Sequence, residues 1–260
     1  MEEKTRKRLN DKQHNLLLLL YKFRFTTTPL LTEYLGLKSN SVIRNLKVLL
    51  DQKLIGWKYD LSYKIDRKPA IYYLEKKGLA TLKEDSGLDK NILHSYYKNK
   101  NLNEEFIQHS VDVLGTYNAL KATYGDSYYM FTKNELGGFE DFPDNKPDLY
   151  LRRTDDTSEY FITLAHDVQP FIIRKRLAEY VEHSEDVGWP SDKYPTLLYV
   201  FKNSAHEWKF MEYAKQLLDG AGIGEDELRV GSTTMKALTT KPYTPAIWSY
   251  LGEKAAPSAL

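Results

Sequence analysis

The stretch TPLLTEYLGLKSNSVIRNLKVLL at residues 28–50 decides how the first third of the chain is read. Thr28 before Pro29 marks a helix start: a hydroxyl cap, then proline at the first helical position, where no N–H is needed. Residues 29–35 make a short helix with Leu30, Leu31 and Tyr34 facing in. Gly36 stops it, because glycine enters the left-handed conformation that closes a helix, and Leu37 packs the turn. Ser39 caps a further helix running to about residue 50. Its apolar set is Val42, Ile43, Leu46, Leu49 and Leu50; its other face carries Asn40, Ser41, Arg44, Asn45 and Lys47. A short helix, a glycine turn and a polar-faced second helix form a helix-turn-helix signal.

Working outward, residues 13–23 predict a preceding helix, with Leu16, Leu19, Leu20 and Phe23 at helical spacing. Before it, Lys4, Arg6, Lys7 and Arg8 are either a basic arm for a phosphate backbone or a frayed terminus. Downstream, Leu54 and Ile55 end the helical core and residues 56–59 start a strand. Residues 60–69 are polar, with Lys64, Arg67 and Lys68, and residues 70–74 return as a second strand. YYLEKKGLATL at 72–82 then turns into a helix.

With these elements in order, residues 13–83 resemble winged helix-turn-helix domains, the hairpin being the wing. The resemblance implies that the third helix enters the major groove N-terminal end first. Asn40, Ser41, Arg44 and Asn45 are the candidates for base edges, since Arg can grip guanine and Asn adenine through paired hydrogen bonds, and Ser39 at the helix start is counted with the DNA-binding residues. Lys38, Lys47, Lys64, Arg67 and Lys68 are placed to meet phosphates. Two plainer readings stand beside this one: an ordinary solvated helix face, or a winged helix used for protein contacts.

Charge is unevenly distributed. The whole chain has 37 basic and 36 acidic side chains, yet residues 1–90 hold 19 basic and 11 acidic ones, and residues 91–260 hold 18 and 25. That asymmetry fits a module for a polyanion joined to one that avoids it. Two domains are expected, 1–90 and 91–260.

In the second domain, residues 101–122 predict a long helix, with Phe106, Val111, Leu114, Tyr117 and Leu120 on one broad face and His109 in a structural place. Strands are expected at 127–132, 147–152, 159–164 and 195–201, with a short one at 228–230. Helices are expected at 169–183, with Phe171, Ile172, Leu177 and Tyr180, and at 205–218, with Trp208, Phe210, Met211, Ala214 and Leu217. The fold class is α/β (α+β), with a mixed sheet in the second domain. Residues 246–251 form a last strand or docking segment, and the closing AAPSAL is expected to be disordered.

The motifs FIQHSVDVLGTYNAL (106–120), KPDLYL (146–151), YFITLAHD (160–167), RKRLAEY (174–180) and TLLYVF (196–201) carry a second resemblance. With the winged helix, they look like the replication-relaxation family of plasmids and other mobile elements. Proteins of that family join a winged helix to a PD-(D/E)xK nuclease-like domain. The resemblance implies a DNA-binding protein acting in replication, transfer or its regulation, as a homodimer, with replication or transfer proteins as further partners.

Metal-dependent cleavage in such a fold needs two carboxylates and a lysine. Asp148 can supply the first carboxylate and Glu159 the second, but the lysine position then holds Phe161. Moving the acidic position along the strand meets Thr163 and Ala165. Asp167, Lys175, Arg176, Glu104 and Glu135 could only be patched in. A catalytically inactive nuclease-like domain is therefore expected, without assigned catalytic residues, metal or cofactor.

The chain contains no cysteine, which excludes disulfides, thiolate metal sites and cysteine nucleophiles. No glycine-rich phosphate loop ending in Gly-Lys-Ser or Gly-Lys-Thr, nucleophile elbow or HExxH motif occurs. The six histidines form no helical ligand pair, and His166 and Asp167, being adjacent, are set aside as a site. No apolar run is long enough to span a bilayer and no signal-peptide pattern is seen, so a cytoplasmic protein without membrane insertion is expected. Two alternatives to the replication reading remain open: a transcription regulator whose second domain senses a ligand, and a Mg²⁺-dependent nuclease using Asp148. A structural adaptor without nucleic-acid binding is a further one.

Overall fold

The computed structural model describes residues 9–85, 87–186, 189–191, 193–224, 226–253 and 257–260. Lys4, Arg6, Lys7 and Arg8 lie outside the described residues. The chain divides into two compact units, Met1–Val111 and Asp112–Leu260.

In the first unit, helix α1 (Asp11–Phe23) opens with a capping box between Asn10 and Gln13. It buries Leu16, Leu17, Leu20 and Phe23. A three-residue strand, β1 (Phe25–Thr27), follows, which the run of threonines did not announce. Next come α2 (Thr28–Leu35), α3 (Ser39–Asp51), β2 (Ile55–Lys58), a short α4 (Leu61–Ile65), β3 (Ile71–Leu74) and α5 (Lys76–Leu82). The strands form an antiparallel sheet in the order β1-β3-β2. This succession is that of a winged helix, with β2 and β3 as the wing strands.

Three local expectations are corrected. The cap of α2 is Thr27, with Thr28 already inside the helix, and the cap of α3 is Lys38; neither cap makes a side-chain hydrogen bond. Ile43, expected in the core, is 48% exposed. The polar wing connection contains a helical turn, because the Asp60 carboxylate accepts the backbone N–H groups of Ser62 and Tyr63 at 2.9 and 3.2 Å.

The first unit also runs beyond residue 90. Helix α6 (Lys90–Ser95) and the 3-10 turn Tyr96–Asn101 pack back on α1. Leu93 and Tyr96 are fully buried, and the Tyr96 hydroxyl donates to the Tyr21 carbonyl at 2.7 Å. Arg24 ties this segment down. Its guanidinium donates to Asn99 Oδ1 at 2.8 Å and to the Ser95 carbonyl at 3.2 Å, between the rings of Tyr96 and Phe106. Helix α7 (Glu104–Tyr124) begins with Ile107 buried and Phe106 outward, one position off the expected stripe.

The second unit holds a six-stranded mixed sheet in the order β4-β5-β6-β7-β8-β9. Strands β4 (Tyr128–Thr132), β5 (Leu149–Arg153) and β6 (Glu159–Leu164) make an antiparallel meander. Helix α8 (Pro170–Asp186) then crosses to β7 (Thr196–Phe201), and α9 (Ser204–Ala221) to β8 (Val230–Thr234), both parallel additions. After α10 (Met235–Thr239), β9 (Ser249–Tyr250) closes the edge antiparallel. Every residue of β6 is buried, as expected of a strand covered on both faces.

The packed face joins Tyr150, Phe161, Leu177, Tyr180, Tyr199 and Phe210. Phe171, Ile172 and Trp208, expected to face inward, are exposed; Ile173, Val181 and Leu218 take the buried places. At the end of the chain, Ser258 pairs with Trp248 as an antiparallel bridge, so this part of AAPSAL is ordered against the sheet edge. Among the described residues, no helix is long and apolar enough to cross a membrane.

Candidate nucleic-acid interface

The turn between α2 and α3 is set by Gly36, at φ +61°, with Leu37 N–H returning to the Thr32 carbonyl at 3.3 Å. Leu31 on α2 and Val42, Leu46 and Leu49 on α3 are buried, which fixes the outward face of α3. Asn40, Ile43, Arg44 and Lys47 recur at helical spacing along that face, and all are exposed. Lys38 and Ser39 precede them, also exposed. Among the described residues, Lys38, Arg44 and Lys47 have no ion-pair partner, and no acidic residue interrupts α3 before Asp51. An unneutralised cationic stripe on an exposed helix is what a phosphate backbone can use.

Two of the sequence candidates sit differently. Ser41 is half-buried and Asn45 is buried. The Asn45 amide is spent inside the helix on the Ser41 carbonyl, at 2.9 Å. The remaining stripe is thus Lys38, Ser39, Asn40, Arg44 and Lys47, with Ile43 among them.

The wing places Lys64, Arg67 and Lys68 in solvent. Lys64 lies over the Tyr59 ring at 5.7 Å, and Lys68 pairs with Asp66 at 3.1 Å. Its tip is more apolar than the sequence led us to expect: Leu61 and Ile65 are 71% and 72% exposed, and Trp57 and Tyr59 are exposed beside them. Tyr63 anchors the tip, donating to Glu104 Oε1 at 2.6 Å. Burial raises its phenol above the ordinary tyrosine value, and Glu104 adds to the rise.

In the second unit, the carboxylates considered for metal-dependent cleavage are held apart. Glu159 stands opposite Arg152, whereas Asp148 precedes Leu149, which stands opposite Ile162. The two are therefore separated by about 13 Å along the sheet. Asp148 Oδ2 accepts the Leu164 N–H at 2.8 Å, and Glu159 accepts Tyr150 OH and Trp189 Nε1. Glu104 is engaged by Tyr63, Glu135 accepts the Thr132 N–H, and Lys175 pairs with Glu179. Lys133, which the sequence did not single out, is near Asp148; burial lowers its ammonium below the ordinary lysine value, and Asp148 opposes the shift.

One grouping was missed altogether. Asp112, His166 and Asp167 converge, although the last two were set aside as a mere adjacent pair. No sequence signal links Asp112 to them across 54 positions.

The chain matches no family model and no curated protein. Among solved structures, it is similar to mutants of Lactococcus lactis ZitR. One of these, a complex with DNA, is 21% identical with a TM-score of 0.28; another, a double mutant, has the same values. A third mutant is 22% identical with a TM-score of 0.27. Each match covers 42% of this chain and 73% of the other. The likeness at these TM-scores is too slight to define a shared fold.

Proposed function

We propose that the first unit binds double-stranded DNA sequence-specifically, with α3 in the major groove and the β2–β3 wing against the flanking backbone. The observation that carries this reading is the unpaired cationic stripe of α3, presented by a glycine-capped turn. Arg44 and Asn40 read base edges; Lys38, Lys47, Lys64 and Arg67 meet phosphates. The second unit holds 16 basic and 23 acidic side chains and stays off the DNA. It serves as the regulatory module of a transcription regulator.

A homodimer would read two half-sites, about 34 Å apart or a multiple of that spacing. The narrower role implied by the family resemblance, replication or transfer of a plasmid or mobile element, differs in where the target lies: at an origin rather than a promoter.

The test is selection of bound sequences from a random duplex pool, followed by fluorescence anisotropy at two salt concentrations. The expected result is an enriched motif bound at least about 10³-fold more tightly than unrelated duplex, with affinity falling steeply with salt. No enrichment, or no binding at low salt, overturns the reading and leaves the winged helix as a protein-contact module.

A further inference from the structure

The carboxyl edge of the parallel strands carries three side chains for which DNA binding has no use. Strand β6 ends at Leu164, and the ladder continues one step further, the Ala165 N–H donating to the Val200 carbonyl at 2.8 Å. His166 and Asp167 therefore leave the sheet from a fixed backbone, at the end of the strands where open α/β sheets take ligands. Asp112, on α7, reaches the same place. His166 Nε2 lies 2.7 Å from Asp112 Oδ2 and 3.4 Å from Asp167 Oδ2. One donor atom from each of the three residues lies within 4.8 Å of the others.

We propose that Asp112, His166 and Asp167 bind one divalent transition-metal ion, of which zinc is the representative. The donor atoms around a tetrahedral zinc are about 3.4 Å apart, given metal–ligand bonds near 2.1 Å. The spacings here meet that requirement after small side-chain movements. The His166 side chain is only 7% exposed, whereas Asp112 and Asp167 are 24% and 41% exposed. A buried imidazole at the back and two accessible carboxylates in front give an entry path and leave a fourth position for water. The imidazole selects transition metals over magnesium or calcium, which favour oxygen donors. Lys202 Nζ lies 3.4 Å from Asp167 Oδ1, leaving Oδ2 to face His166.

The site lies wholly within the second unit, so its test is independent of DNA binding. Full-length protein stripped with a chelator is titrated with Zn²⁺ by calorimetry, and separately with Mg²⁺. One equivalent of Zn²⁺ should bind, with a rise in melting temperature. Asp167→Asn, at an exposed position, should keep the metal-free melting temperature and weaken Zn²⁺ binding at least tenfold. His166→Asn should weaken it further. Absence of stoichiometric Zn²⁺ binding by the wild type overturns the proposal and leaves a charge-assisted hydrogen bond between His166 and Asp112. Undiminished binding in Asp167→Asn places the ion elsewhere and overturns it equally, and Mg²⁺ binding as tight as Zn²⁺ overturns the metal class.

Discussion

The Asn45 side-chain amide donates to the Ser41 carbonyl at 2.9 Å, one turn back along α3. That bond removes Asn45 from the exposed stripe and leaves Arg44 beside it, together with Asn40, to reach a base. Arg44→Ala should weaken target binding by about 1–3 kcal/mol and relax preference at one base pair, with little effect on unrelated duplex. Asn45→Ala should instead lower stability by about 1 kcal/mol and leave the sequence preference intact. Anisotropy against target and scrambled duplexes, with thermal melts of each variant, separates the two outcomes. Equal loss on both duplexes for Arg44→Ala would remove it from base recognition.

The wing should act through charge alone. Replacing Lys64 and Arg67 together with alanine should weaken binding to every duplex alike and reduce the salt slope by about 0.9 for each phosphate no longer neutralised. Lys68 is already paired with Asp66, so its replacement should do less than that of either neighbour. The check is the slope of affinity against salt for each variant; an unchanged slope in the double variant takes the wing off the DNA.

Packing in the first unit leaves no room at Gly78. A Cβ there would lie 2.1 Å from the Leu54 carbonyl oxygen, which already accepts the Glu75 N–H at 3.0 Å. That oxygen is backbone, so it cannot give way without breaking that bond. Gly78→Ala should cost more than about 2 kcal/mol, despite alanine being the better helix former. Urea unfolding gives the value, and a wild-type midpoint would show that α5 shifts freely.

Glu207 gives a pH signature for the second unit. Burial raises its carboxyl above the ordinary range, partly offset by the Ser232 hydroxyl that donates to it at 2.9 Å. The folded state therefore holds the proton more tightly than the unfolded state does. Stability attributable to this group is present below the ordinary carboxylate range and is lost as pH rises through the raised folded value. Glu207→Gln should be more stable than wild type near neutral pH, with the difference vanishing in acid. Thermal melts across pH 4–8 test this, and a gap constant with pH would exclude titration as its cause.

Elements with strong local periodicity were legible in the sequence. The helix-turn-helix around Gly36, the strands of the β4–β6 meander, β7 and the helices α8 and α9 all lie close to where their patterns put them. Their boundaries moved by a few residues, since caps depend on backbone conformation as well as residue type. Strand β1 was not legible: three residues have no period, and β1 exists because β3 offers it a ladder. The inward faces of α8 and α9 were misread at Phe171, Ile172 and Trp208 because an apolar residue near a helix end does not reveal whether a neighbour covers it.

Of the candidate interface, residue types and spacing were written in the chain, while the inward turn of Asn45 and the apolar wing tip were not. The sequence by itself determined the order of the strongly periodic elements, the mixed α/β character of the second unit and the confinement of excess positive charge to the first third. Those properties follow from side chains a few positions apart and from composition. Tertiary structure alone decided that Glu159 stands opposite Arg152, away from Asp148, and that Asp112 meets His166. Such pairings depend on strand register and on how distant elements pack, and a one-residue slip in register would turn every side chain of a strand to its other face.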